Sequence, residues 1–178
     1  MTRTVRAVLI LAALSQCHLR AQVPTLDQVL QRVVSALGGE KELEKIHTMT
    51  FRGTIDLPDL KANGTTVEYF KEPDHFAAVT DLAEHGTTKL VYDGHECWQI
   101  DPQNGITPVT GDDLADMQRR ANIHWNLKLH EFYPNIQMKG REVVEGEDAW
   151  KLEASLGNST YDFFFSVKTG LLVRFDTD

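Results

Sequence analysis

A chain of 178 residues, 42% of them hydrophobic, carries enough apolar material for one domain with a substantial core and calls for no second. Its formal net charge of −8, from 26 acidic and 18 basic side chains, argues against a nucleic-acid partner, because phosphates would be repelled.

The first residues, "MTRTVRAVLILAALSQCHLRA", place Arg3 and Arg6 before the apolar run Ala7 to Leu14 and then turn polar, which is the layout of a secretory signal peptide over residues 1–21. The apolar run is far shorter than the roughly 20 residues of a membrane-spanning helix, so a retained anchor is not expected. "LSQC" has the leucine and cysteine of a lipoprotein box but Gln16 where a small residue belongs. Cleavage near Ala21 is therefore preferred to anchoring at Cys17, giving a soluble periplasmic protein of one domain, residues 22–178. Removal of Arg3, Arg6 and Arg20 leaves that domain still more acidic. It also leaves Cys97 alone, so no intramolecular disulfide is expected.

"PTLDQVLQRVVSALGG" opens the domain with a helix: Thr25 as N-cap, Gln28 completing a capping box, and Gly38-Gly39 as the stop. Leu26, Val29, Leu30, Val33 and Leu37 fall on one face. From His47 the period changes to two, with Met49, Phe51, Ile55 and Leu57 alternating with polar residues, which is the pattern of a strand buried on one side. "TTVEYFKEP", "HFAAVTDL", "TTKLVYDG" and "ECWQID" follow as short strands separated by Pro73-Asp74, His85-Gly86 and Asp93-Gly94. Such close spacing requires an antiparallel meander. A helical stretch begins at Thr110, with Asp112, Asp113 and Asp116 near its positive end and Leu114, Met117 and Ala121 inward; Trp125 and Leu129 continue it. Beyond Pro134, "REVVEGEDAWKLEAS", "TYDFFFSV" and "LLVRFD" resume the strands. The predicted class is α+β: a mainly antiparallel sheet, an N-terminal helix and a helical insertion.

Catalytic chemistry finds little foothold. The seven histidines form no HExxH, no cysteine pair has metal-ligand spacing, and no phosphate loop, nucleophile elbow or dinucleotide fingerprint is present. His95 and Cys97 share a strand parity, but neither a group to orient the imidazole nor an oxyanion donor accompanies them. A protein without catalysis, metal or cofactor is the expectation.

What stands out is apolar surface. Tyr161, Phe163, Phe165 and Val167 share one strand face; with Met49, Phe51, Ile55 and Trp98 they line the space between sheet and helices if the sheet is strongly curved. That space either closes as an ordinary core or stays open for a greasy ligand.

"ALGGEKELEKIHTMTFRGTI", "LVYDGHECWQIDPQNGITPVTGDDLADMQRRA", "LKLHEFYPNIQMKGREVVEGEDAWKLEA" and "FFFSVKTGLLVRFD", in this order after a signal peptide, resemble the bacterial LolA-like proteins known as outer-membrane lipoprotein-sorting proteins. The resemblance spans about residues 22–178. It implies a half-barrel, a curved antiparallel sheet with helices across its concave side, enclosing a hydrophobic cavity for a lipid or lipoprotein acyl chain. Relatives of the RseB type sense envelope stress, so an envelope protein partner is the alternative. Under this resemblance the cavity lining falls to Met49, Phe51, Ile55, Trp98, Leu114, Met117, Trp125, Phe163 and Phe165. Relatives often continue through further strands, so the last strand is expected to be an unpaired edge, or the chain to be a fragment.

Overall fold

The computed structural model describes residues 23–177; the export segment expected at residues 1–21 lies outside the described residues. Helix α1, Leu26–Ala36, starts as its sequence dictates. Thr25 Oγ1 accepts the Gln28 backbone N–H at 3.3 Å, and Gln28 Oε1 accepts the Thr25 N–H at 2.9 Å, so two donors that no helical carbonyl can reach are satisfied. Its buried face carries Val29 and Val33. A single turn, α2, Glu40–Leu43, leads into the strands.

Six strands follow as a meander: β1 Thr48–Leu57, β2 Ala62–Lys71, β3 His75–Leu82, β4 Gly86–Tyr92, β5 Cys97–Asp101 and β6 Gly105–Val109. Each pairs antiparallel with the next. The polypeptide then crosses through α3, Gly111–Ala121, a 3₁₀ turn at Trp125–Leu127 and α4, Leu129–Phe132. A second meander closes the chain: β7 Gln137–Val144, β8 Glu147–Leu156, β9 Ser159–Ser166 and β10 Leu172–Thr177, ordered β10-β9-β8-β7. The protein is α+β, an open antiparallel half-barrel whose wall is divided into ladders of six and four strands.

The sequence expectation did not include β6, a five-residue strand that contains Pro108. The strand tolerates it as the outermost member of its ladder, where a missing N–H costs no pairing on the far side. Thr110 occupies the N-cap of α3 as expected, yet its side chain makes no capping hydrogen bond.

Two cores result. Phe70, Phe76, Tyr92 and Cys97 of the large sheet pack with Met117, Ala121 and Ile123 of the crossing segment. Val29 and Val33 of α1 pack with Leu152, Ala154, Tyr161, Phe163 and Phe165 of the small sheet and with Leu129, Tyr133 and Ile136 of the same crossing segment. Residues 111–136 therefore lie on both sheets at once. On the other face of the small sheet Phe164 packs with Val144 and Ala149, and Lys151 and Arg174 lie over its ring, each 5.5 Å from the centroid.

The docking of α1 depends on the turn between β9 and β10. Arg32 Nη2 donates to the Lys168 carbonyl at 3.2 Å, and Gly170 sits beneath the helix with φ +79°. A Cβ at Gly170 would lie 3.0 Å from the Arg32 carbonyl oxygen and 3.2 Å from the Ala36 Cβ. Gly170→Ala is expected to cost about 1–3 kcal/mol, from left-handed backbone strain and the displaced helix together. Thermal unfolding checks this: at about 2–4 °C per kcal/mol for a chain of this length, the midpoint should fall clearly, and an unchanged midpoint would contradict the docking described.

Candidate functional site

Between the two sheets, beneath the crossing segment, lies a cavity of about 450 Å³, within the range of small-molecule sites. Strand register builds its floor. Met49, Phe51 and Gly53 point the same way from β1, and their partners on β2 are Phe70, Glu68 and Thr66; Phe70 in turn faces Phe76 on β3. Phe163 of β9 with Leu172 and Phe175 of β10 form the opposite wall. Arg119 and Arg120 of α3, Trp125, Phe132 and Tyr133 line the side formed by the crossing segment, and Arg52 completes the lining from β1.

The aromatic rings touch one another in edge-to-face and tilted contacts. Phe51 lies 5.8 Å from Phe70, Phe70 lies 4.9 Å from Phe76, and Phe163 lies 5.2 Å from Tyr133 and 5.0 Å from Phe175. Rings packed like this would be buried in a finished core. Here Phe51 is 52% exposed and Phe175 42%. The wall is open because β1 and β10, the outer strands of the two ladders, do not pair with each other.

One polar cluster interrupts the apolar lining. Arg119 Nη2 lies 3.2 Å from Asp116 Oδ1 and donates to the Tyr161 hydroxyl at 3.3 Å, and its guanidinium sits 5.9 Å from the Tyr161 ring centroid. Burial opposes the charge on Arg119, but the Tyr161 hydroxyl and the Asp116 carboxylate outweigh it and hold the guanidinium above its ordinary value. Burial also pushes the neighbouring Tyr133 phenol up, which keeps it a neutral donor.

The far end of the crossing segment is fastened to the hairpin between β2 and β3. Glu72 accepts from two histidines, His47 Nδ1 at 2.5 Å and His124 Nε2 at 2.7 Å, while Asn122 Nδ2 donates to Asp74 at 2.9 Å. The two imidazoles hold the Glu72 carboxyl below the usual carboxylate range, His47 contributing most. No cluster of three or more metal-ligating side chains exists among the described residues.

Of the residues expected to line a cavity, Met49, Phe51, Trp125 and Phe163 are brought together in it. Leu114 and Met117 instead pack in the large-sheet core, and Phe165, fully buried, belongs to the small-sheet core. Ile55 lies further along β1, opposite Gly64. Trp98 faces away from the cavity. Cys97 beside it is buried in the core, so the pleat turns Trp98 to the outer face, opposite Val91 and Pro108. There it forms an exposed apolar row with Tyr69 and Val91.

His95 sits in the turn before β5, where the Asp93 carboxylate accepts its backbone N–H and that of Glu96, each at 2.8 Å. Burial pushes the Cys97 thiol up, the opposite of what a thiolate nucleophile requires. Lining residues that sequence reasoning did not single out are Phe70, Phe76, Phe132, Tyr133, Phe175 and the arginines. Only the register and the crossing path place them together.

No protein-family model matches this chain, and no curated protein matches it. Solved structures similar to it include a DUF1329 family protein from Desulfovibrio piger, at 14% identity and a TM-score of 0.48 over 86% of this chain and 73% of that one. LprF from Mycobacterium bovis is similar at 12% identity and a TM-score of 0.40, over 86% of this chain and 88% of that one. MucB, in its complex with MucA(peri), is similar at 13% identity and a TM-score of 0.30, over 82% of this chain and 48% of that one.

The Glu72 fastening has a defined pH dependence. A carboxyl held below its ordinary value of 4.5 contributes its full stabilisation above that pH and loses it as pH falls through the depressed value. Glu72→Gln should therefore lower the thermal midpoint at pH 7, and the difference from the unmodified protein should shrink as the pH drops below 4.5. A difference that stayed constant from pH 7 to pH 3 would show that the carboxylate does not fasten this segment.

Proposed function

We propose that the protein is a non-catalytic lipid-binding or carrier protein of the periplasm that holds an acyl chain in the cavity between its sheets. The observation that carries this reading is the open apolar lining: Phe51, Leu172 and Phe175 remain substantially exposed although they flank a ready-made apolar cavity. Leaving that surface wet is unfavourable, and each 100 Å² of apolar surface removed from water by a ligand contributes roughly 2.5 kcal/mol. The resemblance of the sequence segments to LolA-like proteins and the secretory layout of residues 1–21 support the same reading. No helix among the described residues is long and apolar enough to cross a membrane.

A second reading is favoured by β10. Among the described residues it pairs on one side only, and Leu172, Val173 and Phe175 along it are all exposed. A partner protein of the cell envelope could add a strand there. Capture of one envelope protein by the purified chain, with no lipid retained, would favour this alternative.

Gly53 offers a direct test of the cavity. It lines the floor, its backbone is ordinary for a strand, and a Cβ there would meet nothing closer than Thr66 Cγ2 at 3.9 Å. Gly53→Leu should thus fold with an unreduced thermal midpoint, since a side chain favours a strand over glycine. It should also fill the cavity and weaken binding of a fluorescent fatty-acid probe at least tenfold. Unchanged probe affinity in a folded Gly53→Leu variant, or no probe binding by the unmodified protein, would overturn the proposal.

A further inference from the structure

The cavity lining has a charge opposite to that of the protein as a whole. The chain is acidic, with 26 acidic against 18 basic side chains. The cavity, however, is lined by Arg119 and Arg120 of α3 against one carboxylate, Glu68; Arg52 also borders it, but from a strand position of opposite parity to Phe51 and Gly53. Arg119 is already paired with Asp116. Arg52 and Arg120 make no ion pair among the described residues. In addition, Arg119 Nε is buried without a hydrogen-bond partner, an unfavourable state for such a donor.

Guanidinium groups are not needed to hold an acyl chain, which the aromatic rings bury unaided. They suit an anionic oxygen group, because a guanidinium presents planar, paired donors matched to a carboxylate or a phosphate. The overall negative charge does not forbid such a ligand. Charges more than about 8–10 Å away are largely screened at physiological salt, so the nearby arginines dominate.

We infer that the cavity selects an anionic amphiphile, its apolar tail against Phe51, Phe70 and Phe163 and its carboxylate or phosphate against Arg119 and Arg120. This inference rests on the acyl-chain reading above and specifies the head group that the reading leaves open. The carboxylate of a free fatty acid and the phosphate of a phospholipid-like molecule share the chemistry on which it depends.

Three probes of one tail length decide it: palmitate, hexadecyl phosphate and hexadecanol, each competing with a fluorescent acyl probe. At least one anionic probe should bind ten or more times more tightly than hexadecanol, and whichever anion binds better identifies the source of the head group. Raising the salt from 50 to 500 mM should narrow that preference at least threefold. The double variant Arg119→Gln/Arg120→Gln should reduce the preference to less than twofold. Hexadecanol binding as tightly as both anions, or a preference untouched by salt and by the double variant, would overturn the inference while leaving the acyl-chain reading intact. Failure of all three probes to bind would overturn both. The salt series uses the unmodified protein and so remains decisive if the double variant does not fold.

Discussion

The site depends on a segment that packs on two sheets at once. From Gly111 to Ile136 the chain crosses from one ladder to the other, inserting Met117, Ala121 and Ile123 into the large-sheet core and Leu129, Tyr133 and Ile136 into the small-sheet core. Close packing of both groups sets the spacing between the ladders, since interior side chains tolerate little change in volume. The cavity is the space left between the two cores, roofed by the stretch that links them. Its dimensions follow from packing that lies mostly outside it.

Two further features shape that space. β1 and β10 end their ladders without meeting, so no backbone hydrogen bonds draw the walls together. The polar cluster of Arg119, Asp116 and Tyr161 then adds a part-buried charged pair beside the lining, with Arg119 itself in it. This pair is only part-buried, so it contributes little to stability.

Much of the frame was legible in the sequence. The capping box at Thr25 and Gln28, the two-residue alternation from Met49, and the Asp93-Gly94 turn are local signals, and the structure forms each where the residues call for it. The face of each strand was harder. Alternation put Trp98 and Cys97 on opposite faces, but which of them points inward is decided by Phe70, Phe76 and Met117, which lie far away in sequence. The lining arginines were illegible for the same reason: Arg52 and Arg119 are ordinary polar positions on a strand and a helix until the crossing segment brings them to one cavity. The contacts of Glu72 with His47 and His124 span 25 and 52 positions, beyond any local pattern.

The central claim is that this cavity is a ligand site and not an imperfectly closed core. Native mass spectrometry of the protein, expressed in a bacterium from its full sequence and purified without organic solvent, tests that claim most directly. The account predicts a discrete adduct with the mass of one amphiphile per chain, lost on mild extraction and regained on incubation with the extracted lipid. A protein that appears only at its bare mass, and stays so after exposure to that lipid, would contradict it.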